Sequence, residues 1–277
     1  MRKLAACDKK FSMKPIKTII LNCIVLWLAM NLHALAQKIE RADLQHIFSD
    51  AEVQGTIAIY SPTRDRMVLI NAERAAKRYI PASTFKIANS LIAMETGAVK
   101  NENEIIPYGG KPQIIKSWEQ DMSMRDAIKI SNVPVYQEIA NRVGKQRYLE
   151  WLKRLEYGNQ KVGSDVQTFW LEGPLEISAI EQAKFLAQLA TRNLAASKSN
   201  QSIVADILRL EKSEQGTLFG KTGWTSTPNP DIGWFVGWIV KDEENHAFAF
   251  NMDIKSKADA RKRKSLAMGI LQKLGLL

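Results

Sequence analysis

The sequence predicts an α+β fold of the α/β-sandwich type: an antiparallel sheet, built from N- and C-terminal segments and flanked by helices, with a mainly helical insertion lobe. Strand patterns occur near both ends of the chain, over residues 55–70 and 217–253. Between them, from residue 83 to about residue 200, the patterns are mostly helical. We therefore expect a functional site where the sheet meets the insertion.

The first 36 residues have the pattern of an export signal and are set apart from the fold. A basic start precedes an apolar stretch that is shorter than the roughly 20 residues of a membrane-spanning helix. Small residues at Ala34 and Ala36 predict cleavage before Gln37, and Met13 is an alternative start to Met1. We expect a periplasmic protein with no membrane attachment after cleavage; an uncleaved anchor is the alternative.

Residues 37–277 are predicted to form one domain, and their composition narrows its chemistry. Both cysteines, Cys7 and Cys23, lie in the signal, so disulfides, thiolate metal sites and a cysteine nucleophile are excluded from the domain. The signal contains six lysine and arginine residues and one aspartate, so its removal lowers the formal net charge from +10 to +5. This mild excess, without a nucleic-acid motif, favours solubility and a weak attraction for anionic substrates.

The elements follow in order from periodicity and turn residues. A helix over 38–49 is predicted to precede a hairpin, whose strands 55–60 and 66–70 are rich in β-branched residues. The predicted helices of the insertion lobe are 83–95, 124–131, 135–143, 145–155 and 178–190. The strands that complete the sheet are 217–221, 232–240 and 246–253, and a final amphipathic helix covers 262–274.

The stretch I-P-A-S-T-F-K-I-A-N holds a serine and a lysine three residues apart at the start of a predicted helix. We predict Ser83 as the N-cap of this helix, because serine is favoured there and an apolar repeat follows. The Lys86 amine then lies on the same helix face, within reach of the Ser83 hydroxyl. A neutral lysine can activate a serine nucleophile, and apolar neighbours such as Phe85 lower a lysine pKa by desolvation. The alternative is a capping serine followed by a solvated lysine.

Two further motifs add candidates for the same site. K-T-G at 221–223 closes a predicted strand, where a cation, a hydroxyl and an unhindered backbone could bind a substrate carboxylate. S-N-V at 131–133 ends a predicted helix and offers a second hydroxyl. Each motif alone is common at turns or helix ends, but the three motifs in this order are much more specific.

The order S-x-x-K, serine triad, K-T-G is that of penicillin-binding proteins and class A β-lactamases. Here the middle motif reads S-N-V rather than S-D-N, and Y-G-N at 157–159 and W-L-E-G at 170–173 follow it. This combination resembles the class D β-lactamases, the oxacillinase group, over essentially the whole chain after residue 36. The resemblance implies a β-lactam hydrolase that confers antibiotic resistance, uses no metal, and is a monomer or homodimer.

The resemblance also implies an unusual general base for the nucleophile Ser83. Lys86 is expected to react with carbon dioxide to form N6-carboxylysine, so that carbon dioxide or bicarbonate is required and no other cofactor. Trp170 is expected to donate its indole N–H to the modified lysine. Val133 and Phe85 are expected to keep the pocket dry.

The resemblance further assigns the groups that act on the lactam. Backbone N–H groups of Ser83 and Trp224 form the expected oxyanion hole. Ser131 and Lys221 are expected to relay the proton of the nucleophile to the leaving nitrogen.

Substrate binding is assigned in the same way. Thr222, Gly223 and an arginine near the C-terminus are expected to hold the substrate and its carboxylate. The run R-K-R-K offers Arg261 and Arg263, and the spacing from the preceding strand to the position usual in the family favours Arg263. The alternative is a solvated basic helix start.

Several competing interpretations remain at this stage. Glu172 is a rival base, because E-G-P-L-E partly imitates the E-x-x-L-N of class A. His46 and His246 lack the spacing of metal ligands and are interpreted as structural. A peptidoglycan transpeptidase or carboxypeptidase, or a β-lactam sensor that acylates without turnover, shares the three motifs and is the functional alternative.

Overall fold

The computed structural model describes residues 37–227 and 229–277, and the predicted export signal over residues 1–36 lies outside them. Apart from Gln37 at the start of the first strand, the features below belong to the compact unit Lys38–Leu277. In the described ranges, no helix combines the length and the apolar character needed to cross a membrane.

Strands are found in both halves of the described chain, with the longest ones near the C-terminus. They are β1 Gln37–Glu40, β2 Gly55–Ser61, β3 Arg66–Ile70, β4 Arg78–Tyr79, β5 Ile105–Ile106, β6 Met122–Ser123, β7 Ile177–Ser178, β8 Arg209–Ser213, β9 Gly216–Thr225, β10 Asp231–Lys241 and β11 Glu244–Ile254.

Helices fill the middle of the chain and both ends of this compact unit. They are α1 His46–Asp50, α2 Ala72–Ala76, α3 Lys86–Glu95, α4 Met124–Lys129, α5 Val133–Val143, α6 Lys145–Arg154, α7 Ala179–Ala190, α8 Lys198–Ile207 and α9 Lys257–Lys273. Short 3₁₀ helices cover Ala42–Leu44, Ala82–Phe85 and Lys116–Trp118.

The main sheet has seven strands in the order β1-β3-β2-β11-β10-β9-β8, so N-terminal and C-terminal segments meet at its centre. Strands β2 and β11 are antiparallel neighbours, with Ile57 opposite Phe250. Strand β10 joins β11 to β9, which carries the K-T-G motif, and Val236 lies opposite Lys221. The predicted fold class, with an antiparallel sheet of distant segments and a helical insertion, is confirmed.

The two faces of the sheet bury different side chains, because residues alternate along each strand. On one face, Ile57 and Phe250 pack with Phe48 of α1 and Ile270 of α9, and all four are buried. On the other face, small residues such as Ala249 belong to the large core cluster that includes α7. Helix α7 packs against β11 and β2 on this side, so small side chains let it lie close to the sheet.

The start of the compact unit differs from its sequence prediction. The helix predicted over 38–49 is wrong: this segment forms β1, a 3₁₀ turn and the short helix α1. The backbone N–H of Arg41 donates to the carbonyl of Leu69, and β1 adds an edge strand beside β3. Pairing with a distant strand therefore outweighs the local helical pattern.

The other elements agree with the sequence patterns except at some boundaries. The hairpin, the five helices of the insertion and three late strands form as predicted. The last helix begins earlier than predicted, at Lys257, because Ser256 caps it by accepting a hydrogen bond from the Asp259 N–H. Strands β4 to β8 and helices α2 and α8 were not among the predicted elements.

The close approach of α7 to the sheet makes Ala249 a position where added volume should be costly. Ala249→Leu should lower the free energy of unfolding by about 1 to 3 kcal/mol, because a well-packed core yields little space. Urea denaturation measures the change. The matched control is Ala76→Leu at an exposed position, which should have little effect. Equal stability of the Ala249 variant and the parent protein would contradict the close packing.

Candidate active site

Ser83 lies in a tight 3₁₀ turn rather than at the cap of an α-helix. The turn covers Ala82–Phe85, and Ala82 has a left-handed backbone conformation, with φ of 48°. The predicted N-cap role is wrong: α3 begins at Lys86, and the Ser83 side chain caps no helix N–H. Trp234 Nε1 donates to the Ile80 carbonyl over 2.9 Å and fixes the chain just before the turn.

The Lys86 side chain is fully buried and points at the nucleophile candidate. Its Nζ lies 2.9 Å from Ser83 Oγ, within hydrogen-bond distance. Burial holds the Lys86 pKa well below its usual range, and the positive charge of Lys221 lowers it further. Both effects favour the neutral amine, which is the form that can accept the Ser83 hydroxyl proton.

Aromatic rings enclose the Lys86 amine. The Trp170 ring centroid is 4.7 Å from Lys86 Nζ, and the Tyr136 centroid is 5.3 Å from it. Phe85 is fully buried and packs at 6.1 Å from Trp170, ring to ring. Val133, half-buried, packs against the same core cluster. Apolar groups thus surround the amine on several sides, which accounts for its lowered pKa.

The indole N–H of Trp170 has no hydrogen-bond acceptor among the described residues. The side chain is fully buried. An unpaired buried N–H costs free energy and is rare in folded proteins. Because the ring lies beside the Lys86 amine, an acceptor on that side of the indole would relieve the cost.

Tyr136 is a part of this site that the sequence analysis did not identify. Its hydroxyl lies 2.7 Å from Ser90 Oγ, and Ser90 in turn donates to the Lys86 carbonyl over 2.8 Å. Residue 136 lies one helical turn after Val133, so the two share a face of α5, but the predicted helix began at residue 135 and did not include Val133.

Ser131 and Lys221 form a second polar pair. Ser131 follows α4 in a left-handed conformation, with φ of 59°, and its Oγ accepts a hydrogen bond from Lys221 Nζ over 3.0 Å. Burial lowers the Lys221 pKa to about 7, with the charge of Arg263 as the second cause. Lys221 can therefore both give and take a proton near neutral pH.

The K-T-G motif lies within β9 rather than at its end. The strand continues to Thr225, which pairs with Ile232 of β10, so the prediction that the motif closes the strand is wrong. At Gly223, an added Cβ would lie 3.0 Å from both the Pro81 carbonyl oxygen and Thr84 Cγ2. A glycine here lets β9 pack directly on the turn that carries the nucleophile candidate.

Arg263 reaches the outer side of the same strand. Its Nη1 donates to the Gly223 carbonyl over 2.6 Å, and its guanidinium carbon is 5.7 Å from the ring centroid of Trp224, which is 43% exposed. Thr222, Trp224 and Arg263 line an open groove of about 520 Å³ together with the exposed Arg261. Of the two candidate arginines, Arg263 is the one in contact with the motif.

The rival residues lie elsewhere. Glu172 is exposed, and no hydrogen bond in the described part of the chain joins its side chain to Ser83 or Lys86. His46 Nδ1 lies 2.8 Å from the Asp43 carbonyl on the surface, and His246 is in β11, on a part of the sheet that does not border the turn. Within residues 37–227 and 229–277, no cluster of His, Cys, Asp and Glu could hold a metal ion.

Comparisons with known proteins agree with this geometry. The family model of the penicillin-binding protein transpeptidase domain matches residues 50–272. Beta-lactamase OXA-10 of Pseudomonas aeruginosa is 41% identical over 233 residues, which are 83% of this chain and 88% of that protein. Beta-lactamase OXA-48 of Klebsiella pneumoniae is 35% identical over 225 residues, 81% of this chain and 85% of that protein.

A solved structure extends the likeness to the fold. The crystal structure of FUS-1 (OXA-85), a class D β-lactamase from Fusobacterium nucleatum subsp. polymorphum, aligns with a TM-score of 0.83 and 40% sequence identity. The alignment covers 86% of this chain and all of that one.

The buried amine of Lys221 predicts a pH-dependent cost in stability. Its pKa is about 7 when folded, against about 10.4 in an unfolded chain. The unfolded chain binds more protons between these values, so stability rises with pH there, and below about pH 7 the whole penalty is present. Lys221→Met should therefore be more stable than the parent protein by roughly a few kcal/mol near pH 6, and the excess should shrink toward about pH 10.

Urea denaturation at several pH values measures this difference. The control is Lys184→Met, which replaces an exposed lysine and should show no pH-dependent difference from the parent protein. A constant difference between Lys221→Met and the parent across the pH range would contradict the lowered pKa.

Proposed function

The chain belongs to the class D β-lactamases and is a serine hydrolase of β-lactams, and we propose that its acyl-enzyme forms on Ser83, with N-carboxylated Lys86 as the general base. The observation that carries this proposal is the 2.9 Å distance between Ser83 Oγ and the Nζ of a fully buried lysine. A serine hydroxyl needs an adjacent base to become a nucleophile, and a neutral lysine is the only titratable group at that distance in the described chain.

Carboxylation of Lys86 is supported by the surroundings of its amine. The neutral amine can attack carbon dioxide: an N–C bond forms, a carbon–oxygen double bond opens, and one amine proton leaves to solvent. The product is a carboxylate on Nζ, whose oxygens can accept the Ser83 hydroxyl proton. The unpartnered Nε1 of Trp170 would donate to it, and Phe85 and Val133 would exclude water from it. Carbon dioxide or bicarbonate is then required, and no metal or other cofactor.

The acylation step follows from these positions. Lys86 takes the hydroxyl proton while Ser83 Oγ attacks the lactam carbonyl. The backbone N–H groups of Ser83 and Trp224 are proposed to bind the oxyanion, and losing one such donor typically costs about 2.7 to 4 kcal/mol of barrier. When the ring C–N bond breaks, Ser131 delivers a proton to the nitrogen and regains one from Lys221, whose pKa of about 7 suits this exchange.

Substrate binding and deacylation use the adjacent strand. Thr222 and Arg263 are proposed to hold the carboxylate of the β-lactam in the open groove, and Gly223 lets β9 approach the nucleophile. The proton that Lys86 took passes to Lys221, which had given one up, so the base is free again. Water then gives a proton to Lys86 and attacks the acyl carbonyl, and when the acyl–oxygen bond breaks Lys86 returns that proton to Ser83 Oγ. This second step distinguishes a β-lactamase from a penicillin-binding protein that stays acylated.

The site of action is proposed to be the periplasm. Residues 1–36 carry the pattern of an export signal, and residues 37–277 are proposed to be the single functional domain. The partner is a small-molecule β-lactam; no nucleic acid or membrane is expected to bind, and a monomer or a homodimer would serve.

Turnover of a chromogenic cephalosporin tests the function itself. The wild-type protein should release many equivalents of product, whereas one stoichiometric burst without further hydrolysis would make it a transpeptidase or a sensor. Ser83→Ala should lower kcat by at least about a thousandfold and give no acyl-enzyme in the mass spectrum. Ser265→Ala, at an exposed serine, should retain full activity.

Bicarbonate dependence tests the general base. Trp170→Phe keeps an aromatic ring but removes the N–H, so it should lower kcat about tenfold or more and raise the bicarbonate concentration needed for half-maximal activity. Removing bicarbonate at mildly acidic pH should lower wild-type activity reversibly, because protonation of the amine displaces the carboxylate.

A direct readout is the carbon NMR signal of a carbamate after addition of ¹³C-bicarbonate. This signal should be present in the wild-type protein, weak in Trp170→Phe, absent in Lys86→Ala, and unchanged in the control Trp151→Phe on the outer helix α6. Turnover that never responds to bicarbonate, together with no carbamate signal, would leave unmodified Lys86 or Glu172 as the base.

A further inference from the structure

A second cavity lies on the α9 side of the sheet, away from the nucleophile. Its volume is about 190 Å³, and none of its lining residues belongs to the candidate active site. Strands β2, β3 and β11 form its floor, and the end of α9 with the residues after it forms its roof. We call it the Arg66 cavity; it is lined chiefly by Ile59, Ser61, Arg66, Val68, His246 and Leu274.

Strand register divides the floor into two rows. Ser61 lies opposite Arg66, and Ile59 lies opposite Val68. Tyr60 pairs with Ala247, which places His246 beside Ser61 in the next pair along the strands. Because alternate residues share a face, the floor has a polar row of Arg66, Ser61 and His246 and next to it an apolar row.

The polar row contains groups that lack partners. Ser61 Oγ is buried and has no hydrogen-bond partner in the described part of the chain. His246 is only 8% exposed, and its Nε2 lies 3.6 Å from Glu244 Oε2, beyond the range of a good hydrogen bond. Burial lowers the His246 pKa, so the ring is neutral at pH 7 and keeps one N–H to donate. A buried hydroxyl without a partner, beside a histidine that makes no close hydrogen bond, indicates room for a polar ligand at this row.

Charge around the cavity favours an anion. Arg41 is paired with Asp43 over 2.6 Å, and Glu244 is paired with Arg64 over 3.0 Å. Among the described residues, no carboxylate lies within ion-pair distance of Arg66. One positive charge is therefore uncompensated at the polar row, and a single carboxylate would neutralise it and accept hydrogen bonds from its neighbours.

We propose that the Arg66 cavity binds a small monocarboxylate with an aromatic or short aliphatic body. The carboxylate lies on Arg66, Ser61 and His246, and the body lies on Ile59 and Val68 beneath the C-terminal leucines. The volume fits this class of ligand: an apolar cavity of about 150 Å³ holds one benzene ring, and this cavity is somewhat larger.

The experiment compares benzoate with its neutral isostere benzamide on the purified wild-type protein. Amide chemical shifts in ¹H–¹⁵N spectra report where each molecule binds. Benzoate should shift the amides of β2, β3 and β11 around the Arg66 cavity and saturate with a Kd on the order of 1 mM or tighter. Benzamide should bind at least tenfold more weakly, because it lacks the charge that Arg66 neutralises.

Two variants distinguish binding in the Arg66 cavity from binding in the groove of Thr222 and Arg263. Arg66→Gln should weaken benzoate at least tenfold while leaving β-lactam turnover unchanged, and Arg154→Gln, an exposed arginine outside the cavity, should change neither. Shifts confined to the groove of Thr222 and Arg263, equal affinity for benzoate and benzamide, or binding that survives Arg66→Gln would each overturn the proposal.

Discussion

The amine of Lys86 is fully buried, and among the described residues no carboxylate pairs with it; the other parts of the site are arranged around that condition. A charged ammonium in this position would lose its hydration and gain little in return, so the amine is kept neutral. Only a neutral amine can take a proton from Ser83 or combine with carbon dioxide. The rings of Trp170 and Tyr136 maintain the low polarity that both reactions need.

Three distant segments must meet to build this enclosure, and the fold supplies each of them. The turn Ala82–Phe85 is placed by the Trp234 hydrogen bond from the sheet, β9 is placed by its pairing with β10, and Ser131 and Tyr136 come from the insertion. Left-handed backbone at non-glycine residues costs on the order of 1 kcal/mol or more, and it occurs both at Ala82, next to the proposed nucleophile, and at Ser131. The surrounding core holds these conformations in place.

Much of this could be predicted from the sequence because the signals are local. Runs of β-branched residues bounded by turn residues predicted the hairpin and late strands, and helical periodicity predicted the five helices of the insertion. The spacing of Ser83 and Lys86 predicted that their side chains meet, and the two lie 2.9 Å apart. The predictions that were wrong concern segments whose structure is set by tertiary contacts. The segment 38–49 pairs with β3, and the turn at Ala82 is set by residues far along the chain. The Arg66 cavity likewise arises from three strands and the C-terminal end of the chain.

The cations of the site would favour an anionic ligand. Burial is the main cause of the lowered pKa of Lys221 and of Lys86, and the charge of Arg263 adds to it at Lys221 as that of Lys221 does at Lys86, so each positive charge makes the next lysine easier to keep neutral. In the described chain none of the three side chains has an ion-pair partner within 4.0 Å, so the local excess of positive charge is not compensated by the protein. An anion bound by Arg263 offsets part of that excess and thereby raises the proton affinity of Lys221. Binding of the substrate carboxylate at Arg263 would in this way help Lys221 to hold the proton that the leaving nitrogen needs. Recognition of the carboxylate would then be coupled to the chemical step.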